Sequence, residues 1–264
     1  MADAFSYFTI PQLSRRVWKV WMRDRDVFMR TIKVNFLPPI LEPILYILAL
    51  GFGLGIFIKE IGGVSYAVFL APGLVAITVM NSAFFECTFG SFVRMYYQKT
   101  FDAIIATPLS LEEVVAGELL WGATKSFING LLVLAVVSAL GLISFPLALL
   151  VVPFSFLAGL LFAVIAMCFT AICPTIDTFN YPFFLLVTPM FLISGTFFPL
   201  SVLPEALQYL ALATLPLTHV VIIIRGLTFG VVEWPMLLSL AWIAVVSSVL
   251  FVVSINLMKK RLII

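Results

Sequence analysis

The sequence predicts an all-α integral membrane protein, and three observations support this fold class. Hydrophobic residues make up 63% of the 264 residues and charged residues only 11%, against about 25% in soluble domains. Several apolar runs reach the roughly 20 residues that a helix needs to cross a bilayer. A helix also satisfies its own backbone hydrogen bonds there. We therefore predict six spans in one transmembrane domain over 1–264, at about 37–58, 66–92, 113–140, 146–172, 179–199 and 235–258.

A basic amphipathic helix is predicted ahead of the first span, over residues 11–36. Basic side chains cluster on one face, and Arg25 interrupts the other, apolar face. The apolar face carries Trp18, Trp21, Met22, Met29, Ile32 and Phe36. A helix of this kind lies on an anionic leaflet, and the alternative is a solvated tail that follows the positive-inside rule. Both interpretations place the N-terminus in the cytosol, and no cleavable signal precedes the spans.

The positions of the Lys and Arg residues predict the orientation of the spans. With six spans, twelve of the fifteen basic residues face the cytosol. Seven lie in the N-terminal segment, Arg94 and Lys99 follow the second span, and three form the C-terminal KKR. The others are Lys59 and Arg225 outside and Lys125 within the third span. Both termini are therefore predicted to be cytosolic.

Residues 194–227 contain two apolar pieces of about ten residues, divided at Leu215 and Pro216. Each piece is too short to cross a bilayer. We therefore expect a re-entrant or interfacial helical hairpin on the external face, over residues 203–225. It carries Glu205, His219 and Arg225, of which Glu205 and His219 are candidates for gating. The alternative for His219 is a hydrogen-bonded or water-facing structural histidine.

Three ionisable residues are predicted at membrane depth, where a charge is costly and faces a bundle interior or a water-filled path. They are Glu86, Glu118 and Lys125. Glu118 and Lys125 lie about 10 Å apart along one helix, too far for a direct pair. We expect Lys125 to pair with Glu86 on the preceding span, and Glu118 to need another partner. Such a pair either constrains packing or lies on a transport path.

Nothing in the sequence indicates catalysis. The stretch GELLWGATKS, residues 117–126, lacks the contiguous GKS or GKT of a phosphate-binding loop. His219 has no cluster of metal ligands around it. Cys87, Cys168 and Cys173 have no metal-site spacing and are expected to stay reduced. The GxxxG match at residues 51–55 predicts close helix packing, either between chains or within this one.

The segment RMYYQKTFDAIIATPLSLEEV, residues 94–114, separates the second and third spans. Phe101, Ile104 and Ile105 form a short apolar stripe, Asp102 lies on another face, and Pro108 ends the helix. We expect a short helix at the cytosolic boundary whose exposed aromatic side chain fits a groove on a cytosolic partner. The alternative is a loop that lies on the lipid surface.

Several of these stretches together resemble a known family. They are TFDAIIATPLSLEEVVAGELLW, SGTFFPLSVLPEALQYLA and LPLTHVVIIIRG, with EPILYILALGFGLG, VSYAVFLAPG and FECTFGSFVRM ahead of them. The chain resembles the ABC-2 type exporter permeases, and within them the branch that exports nodulation lipo-oligosaccharides. The resemblance covers about residues 11–261.

The resemblance implies a non-catalytic, multi-pass subunit of the bacterial inner membrane, with a fold like that of type V exporters. Two copies would form a homodimer and bind two copies of a separate cytosolic ATPase, which would hold the ATP and Mg. The family's coupling helix would fall on about residues 97–106, and the hairpin on 203–225. Contacts with the ATPase are expected from Tyr97, Lys99, Thr100, Phe101, Asp102 and Ile105.

The substrate implied is an amphipathic glycolipid or lipo-oligosaccharide in the lipid bilayer, moved outward, with no nucleic-acid partner. Phe84, Phe85 and Trp121 are candidates for its path, because aromatic rings contact sugars and acyl chains; core packing is the alternative. Other functions stay open: an exporter of drugs or of another lipid-linked polymer, a proton-coupled secondary transporter, a scaffold, or an intramembrane enzyme.

Overall fold

The computed structural model describes residues 6–58, 60–143 and 146–263, so Lys59 lies outside the described residues. Within these ranges, six helices are long and apolar enough to cross a membrane, as predicted. The fifth ends at Ile193 rather than at about residue 199. We name them spans 1 to 6, and they cover Ile32–Ile56, Tyr66–Tyr97, Leu111–Ala139, Leu147–Ile172, Ile176–Ile193 and Trp234–Leu262.

Spans 2, 3 and 4 form the centre of the bundle. In the most apolar window of span 2, 78% of the residues are buried, against 22% in spans 1, 5 and 6. Small residues allow the central helices to approach closely. A Cβ added at Gly159 of span 4 would lie 2.5 Å from Ser126 Cβ of span 3, and one at Gly122 would lie 2.6 Å from Cys87 Sγ. The outer spans therefore present most of the surface available to lipid or to another subunit.

The basic helix, Val17–Arg30, packs against span 3. Its buried side chains are those of Val17, Val20, Asp24 and Phe28. On the face predicted to lie at the membrane interface, Trp18 and Met29 are 53% and 57% exposed. Gly117 explains the choice of face, because it lets Val20 approach the span 3 backbone where any side chain would clash. Trp21 of the same face is half-buried and donates from Nε1 to Thr124 Oγ1 of span 3 at 2.9 Å, so the location of this face at the membrane interface stays a prediction.

Residues 6–16, which we call the N-terminal strap, lie against the C-terminal end of span 6. The Asn256 side chain donates hydrogen bonds to Tyr7 O at 3.0 Å and Thr9 O at 2.8 Å. Close by, Lys259 forms an ion pair with Glu112 in the first turn of span 3. Both ends of the described chain therefore lie at the same end of the bundle, as an even number of spans requires.

A short hairpin connects spans 1 and 2 at the opposite end. Strands β1, Glu60–Ile61, and β2, Val64–Ser65, form an antiparallel hairpin whose turn glycines have positive φ. The sequence analysis did not predict it, although a Gly-Gly turn between short strands is a hairpin signal. The GxxxG glycine Gly51 packs within the chain, since a Cβ there would lie 3.2 Å from Ala67 Cβ.

Helices Glu205–Thr214 and Pro216–Phe229 follow span 5 and meet at an angle of 92°. The break falls between Leu215 and Pro216, where the sequence predicts it, and Pro216 occupies the first turn of the second helix. We call this pair the bent helix pair. Its re-entry into the bilayer stays a prediction.

Candidate functional site

Four ionisable side chains form one buried charge cluster between spans 2 and 3: Glu86, Arg94, Glu118 and Lys125. Arg94 Nη1 donates to Glu86 Oε1 at 2.7 Å, and Arg94 Nε donates to both oxygens of Glu118 at 3.0 and 2.9 Å. Lys125 Nζ lies 2.7 Å from Glu86 Oε2. Two carboxylates therefore alternate with two cations, and each charge has a partner of opposite sign.

Local backbone geometry of span 2 aims Arg94 inward. Helix segments Glu86–Gly90 and Val93–Tyr97 have π-helical hydrogen bonding, which widens the helix and often marks functional sites. Gly90 lies beside the ion pair of Glu86 and Arg94, because a Cβ there would be 3.2 Å from Glu86 Oε1 and 3.4 Å from Arg94 Nη1. A side chain at this position would press on the ion pair itself.

Glu118 is the most enclosed member of the cluster, with none of its surface exposed. Besides Arg94, it accepts a hydrogen bond from Ser91 Oγ at 2.7 Å. A buried carboxylate is tolerated when counter-charge and hydrogen bonds satisfy it, whereas loss of one partner leaves an uncompensated charge. The cluster therefore holds spans 2 and 3 in one register.

The sequence analysis located this cluster only in part. The predicted ion pair between Glu86 and Lys125 is present, and Glu118 has the further partner that it was expected to need. Arg94 was placed wrongly in a cytosolic loop. It lies within span 2, and its side chain is 14% exposed. Its charge was read as part of the positive-inside bias, which concealed its inward direction.

Asp24 of the basic helix is a further charged residue near the cluster, and the sequence analysis missed it. Its Oδ1 accepts from Arg23 Nη1 at 2.8 Å, whereas its Oδ2 is buried without a hydrogen-bond partner. Burial, followed by the nearby Glu118 carboxylate, raises the pKa of Asp24 to about 8, despite the charges of Arg94 and Arg23. A signal was available, because Asp24 follows Val20 by four residues on the buried stripe.

A cavity of about 610 Å³ lies between the basic helix and the buried charge cluster. Its lining combines aromatic rings with polar side chains that have spare hydrogen-bonding capacity. The aromatic members are Phe28, Phe89 and Trp121, and the polar ones include Arg23, Asp24, Thr31, Asn35, Gln98 and Lys125. An arrangement of this kind suits a polar headgroup that also offers apolar faces.

The segment predicted to be the coupling helix forms a helix over Thr100–Ile105, preceded by Lys99 in a left-handed conformation with φ of 53°. We keep the name coupling helix for it, and its contact with an ATPase stays a prediction. The expectation that its aromatic side chain is exposed was wrong, because Phe101 is fully buried in the core. Phe101 anchors the helix, while Arg23 Nη2 donates to Thr100 Oγ1 at 3.4 Å from the basic helix. The side chains free for a partner are those of Tyr97, Lys99, Asp102 and Ile105.

The candidate path aromatics occupy different environments. Phe84 is fully buried in the core, which favours packing for this residue. Phe85 is 40% exposed and lies beside Phe183 of span 5, with ring centroids 5.7 Å apart. Trp121 lines the cavity and contacts Phe28 edge to face at 5.5 Å.

The candidates of the bent helix pair also differ. His219 is buried: its Nε2 lies 3.0 Å from Leu212 O, its Nδ1 lies 3.1 Å from Ser239 Oγ, and its ring stacks on Trp242. This environment is that of a structural histidine that joins the pair to span 6. Glu205 is exposed in the first turn of its helix.

Comparison with known proteins identifies the family. The sequence matches the ABC-2 type transporter family over residues 15–229. The chain belongs to this family. It is 36% identical over 243 residues to Nodulation protein J of Bradyrhizobium diazoefficiens, covering 92% of each chain. It is 34% identical over 254 residues to Nodulation protein J of Rhizobium leguminosarum bv. viciae, covering 96% of this chain and 98% of that one.

A more distant ABC-2 relative is the inner membrane transport permease YadH of Escherichia coli, 26% identical over 219 residues and 80% of each chain. No solved structure matches the chain. The family match covers spans 1 to 5 and the bent helix pair. The buried charge cluster and the coupling helix thus lie within the part of the chain that the ABC-2 family defines, and this part is that of a membrane-spanning transport permease.

Proposed function

We propose that this ABC-2 chain is the permease subunit of a bacterial exporter that moves an amphipathic glycolipid outward, driven by a separate cytosolic ATPase. The observation that carries the proposal is the coupling helix within a family-matched permease. The buried Phe101 side chain fixes the coupling helix to the core, and Tyr97, Lys99 and Asp102 are exposed. A helix that is fixed to the core and exposes polar side chains can bind a partner in a groove and transmit the movement of that partner to the membrane domain.

The route from the coupling helix into the membrane passes through the buried charge cluster. Span 2 ends three residues before Thr100, so that movement of the coupling helix acts on Arg94 near the end of that span. Arg94 is joined to Glu118 of span 3 and, through Glu86, to Lys125. Spans 2 and 3 would therefore move together when the coupling helix moves. We assign Glu86, Glu118 and Lys125 this coupling role rather than a proton relay.

ATP and Mg would be bound by the partner and not by this chain. Residues 117–126, which faintly resemble a phosphate-binding loop, lie inside the continuous helix Leu111–Ala139. A phosphate-binding loop needs backbone N–H groups that converge on the phosphate, and within a helix these groups are engaged in hydrogen bonds. We therefore place two ATPase copies against the exposed faces of the coupling helices in a homodimer, on the cytosolic side of the inner membrane.

The substrate class follows from the cavity beside the basic helix. Its aromatic and polar lining suits a sugar headgroup, and the neighbouring Trp18 and Trp21 stack at 4.0 Å where the apolar part of an amphiphile would lie. The similarity to Nodulation protein J supports the same class. We propose that a lipo-oligosaccharide or related glycolipid enters from the cytosolic leaflet.

Co-purification tests the proposal. The tagged chain, extracted in a mild detergent from its native host, should retain a stoichiometric protein with a phosphate-binding loop, and the eluate should hydrolyse ATP. Asp102→Arg reverses an exposed charge and should weaken retention, whereas Lys19→Glu on the exposed face of the basic helix should not. Elution of the folded chain alone, even after crosslinking, would contradict the proposal and favour proton-coupled transport.

A further inference from the structure

Arg225 of the bent helix pair carries a charge that no acidic side chain in the described part of the chain balances. Within the described residues, its guanidinium makes one hydrogen bond, from Nη2 to Gly195 O at 2.8 Å, and forms no ion pair. It lies 4.1 Å from the centroid of the Phe69 ring, and its Nε is buried without a partner. Arginine stays protonated in proteins and offers five N–H donors, so most of its binding capacity is unused.

The incomplete pairing of the Arg225 guanidinium costs free energy, which a negatively charged partner would recover. Arg225 is half-buried and its Nε has no hydrogen-bond partner, which is costly for a cation, and the carbonyl and the aromatic ring supply only partial compensation. Arg94, near the other end of the bundle, shows the contrast, since two carboxylates hold it. The partner of Arg225 is therefore expected to come from outside the chain.

A cavity of about 320 Å³ lies directly beside Arg225 and offers a place for such a partner. Its walls are mostly apolar, and Glu233, which is exposed, is the acidic residue in its lining. Glu233 lies more than 4.0 Å from any nitrogen of Arg225, since no ion pair joins them. The remaining lining residues are Ile222, Gly226, Phe229, Val231, Pro235 and Met236.

The position of this cavity separates it from the site described above. Phe69, on which Arg225 lies, is in the first turn of span 2, about 38 Å along the helix from Arg94. The cavity therefore lies at the opposite end of the bundle, which is external in the predicted orientation. At this end of the bundle, a cationic side chain can contact lipid headgroups while the apolar cleft beside it contacts acyl chains.

We propose that Arg225 and this cavity bind an acyl-chain amphiphile with an anionic phosphate headgroup. The guanidinium contacts the phosphate, which it matches in geometry as well as in charge, and the apolar walls cover the first part of an acyl chain. Glu233 opposes binding through its like charge and so limits affinity. The amphiphile is either a phospholipid of the outer leaflet or the exported molecule after it has crossed.

The test measures binding of phosphatidylglycerol to the full chain in nanodiscs made of phosphatidylcholine, by native mass spectrometry. Arg225→Gln should weaken binding by about tenfold, and Arg225→Lys should weaken it less because the charge remains. Glu233→Gln should strengthen it several-fold. Glu60→Gln removes an exposed carboxylate of strand β1 that does not line the cavity, so it is the control for Glu233→Gln and should have no effect.

Equal binding by the wild type, Arg225→Gln and Glu233→Gln would overturn the proposal. If Arg225→Gln does not fold, which size-exclusion chromatography would show, the Glu233→Gln result decides alone, and unchanged affinity overturns the proposal. Adding ATP to the complex with its ATPase separates the two sources: a resident phospholipid stays bound, and an exported molecule is released. The binding measurements on the four variants use the chain without the ATPase, so they can fail or succeed independently of the proposed function, whereas the addition of ATP rests on it.

Discussion

Arg94 and Glu118 join spans 2 and 3 through two hydrogen bonds from Arg94 Nε, of 3.0 and 2.9 Å, and an ion pair at Nη2. The same guanidinium reaches Glu86 at 2.7 Å, and Glu86 in turn holds Lys125. One arginine therefore neutralises the most enclosed carboxylate of the bundle while it connects the coupling helix end of span 2 to span 3.

Removal of Arg94 tests this link. Arg94→Met leaves Glu118 buried without its counter-charge, and breaking a buried pair in this way costs about 3–5 kcal/mol. We expect a large fall in the melting temperature of the purified chain in detergent. Lys99→Met is the matched control, since Lys99 forms only an exposed pair with Asp102 at 3.9 Å, and its melting temperature should stay near that of the wild type. Equal melting temperatures for the two variants would contradict the role of Arg94.

Phe101 and Asp102 are neighbours in the coupling helix, but their substitution is expected to change different properties: stability for Phe101 and ATP hydrolysis for Asp102. Phe101→Ala removes a fully buried side chain and should cost about 3–5 kcal/mol, so the chain should be less stable before any partner is present. Asp102→Arg changes an exposed residue and should leave the melting temperature unchanged while it lowers partner-dependent ATP hydrolysis. Melting curves and ATPase rates on the same preparations separate the effects. A destabilised Asp102→Arg, or a fully stable Phe101→Ala, would contradict this division.

Asp24 predicts a pH dependence of stability. Its pKa rises from 3.8 to about 8 in the folded chain because burial disfavours the charged carboxylate. The folded state therefore holds this proton more tightly than the unfolded state, and the stabilisation is complete below about pH 4 and is lost as the pH rises toward 8.

Asp24→Asn removes this titration while it keeps the size of the side chain. The melting temperature of the wild type minus that of Asp24→Asn should decrease from pH 5 to pH 8 and level off above that. Asp26→Asn is the control, because Asp26 is exposed on the same helix, and its difference from the wild type should stay nearly constant. A difference for Asp24→Asn that is independent of pH would show that the carboxyl is not perturbed as described.

One side chain of span 6, Asn256, binds the first part of the N-terminal strap, whereas Ser14 and Arg16 farther along it bind Glu113 and Pro108 O. Asn256→Ala removes the hydrogen bonds to Tyr7 O and Thr9 O, worth about 1 kcal/mol each. Residues 7–9 should then separate from span 6 more often, and chymotrypsin should cleave at Tyr7 and Phe8 several times faster in limited proteolysis. Ser248→Ala, which lies on the exposed side of the same helix, is the control. Cleavage at the same rate in both variants would show that Asn256 does not hold the strap.

The sequence predicts the spans because twenty apolar residues in a row leave few alternatives in a membrane protein. The break at Pro216 is predicted for a similar reason, since proline ends one helix and starts another. The pair of Glu86 and Lys125 follows from helix rise alone, once the turn between spans 2 and 3 is located. These features depend on local sequence and on simple geometry.

What the sequence does not reveal depends on contacts between distant segments. The inward direction of Arg94 follows from π-helical turns and from the space at Gly90, and neither is visible in hydropathy. Phe101 was expected to be exposed because a short stripe of apolar residues can face either a partner or the chain's own core. The face of the basic helix that packs is decided by Gly117 of span 3, one hundred residues away from Val17 in the sequence.

The central claim is that transport by this chain is driven by ATP hydrolysed in a separate subunit. The most direct test uses inside-out vesicles that contain the chain and its ATPase, with a fluorophore-labelled acylated oligosaccharide added outside. The label should become protected from an external quencher only when ATP is present, and Asp102→Arg in the exposed face of the coupling helix should reduce this protection. Protection driven by an imposed proton gradient, without ATP and without the ATPase, would contradict it.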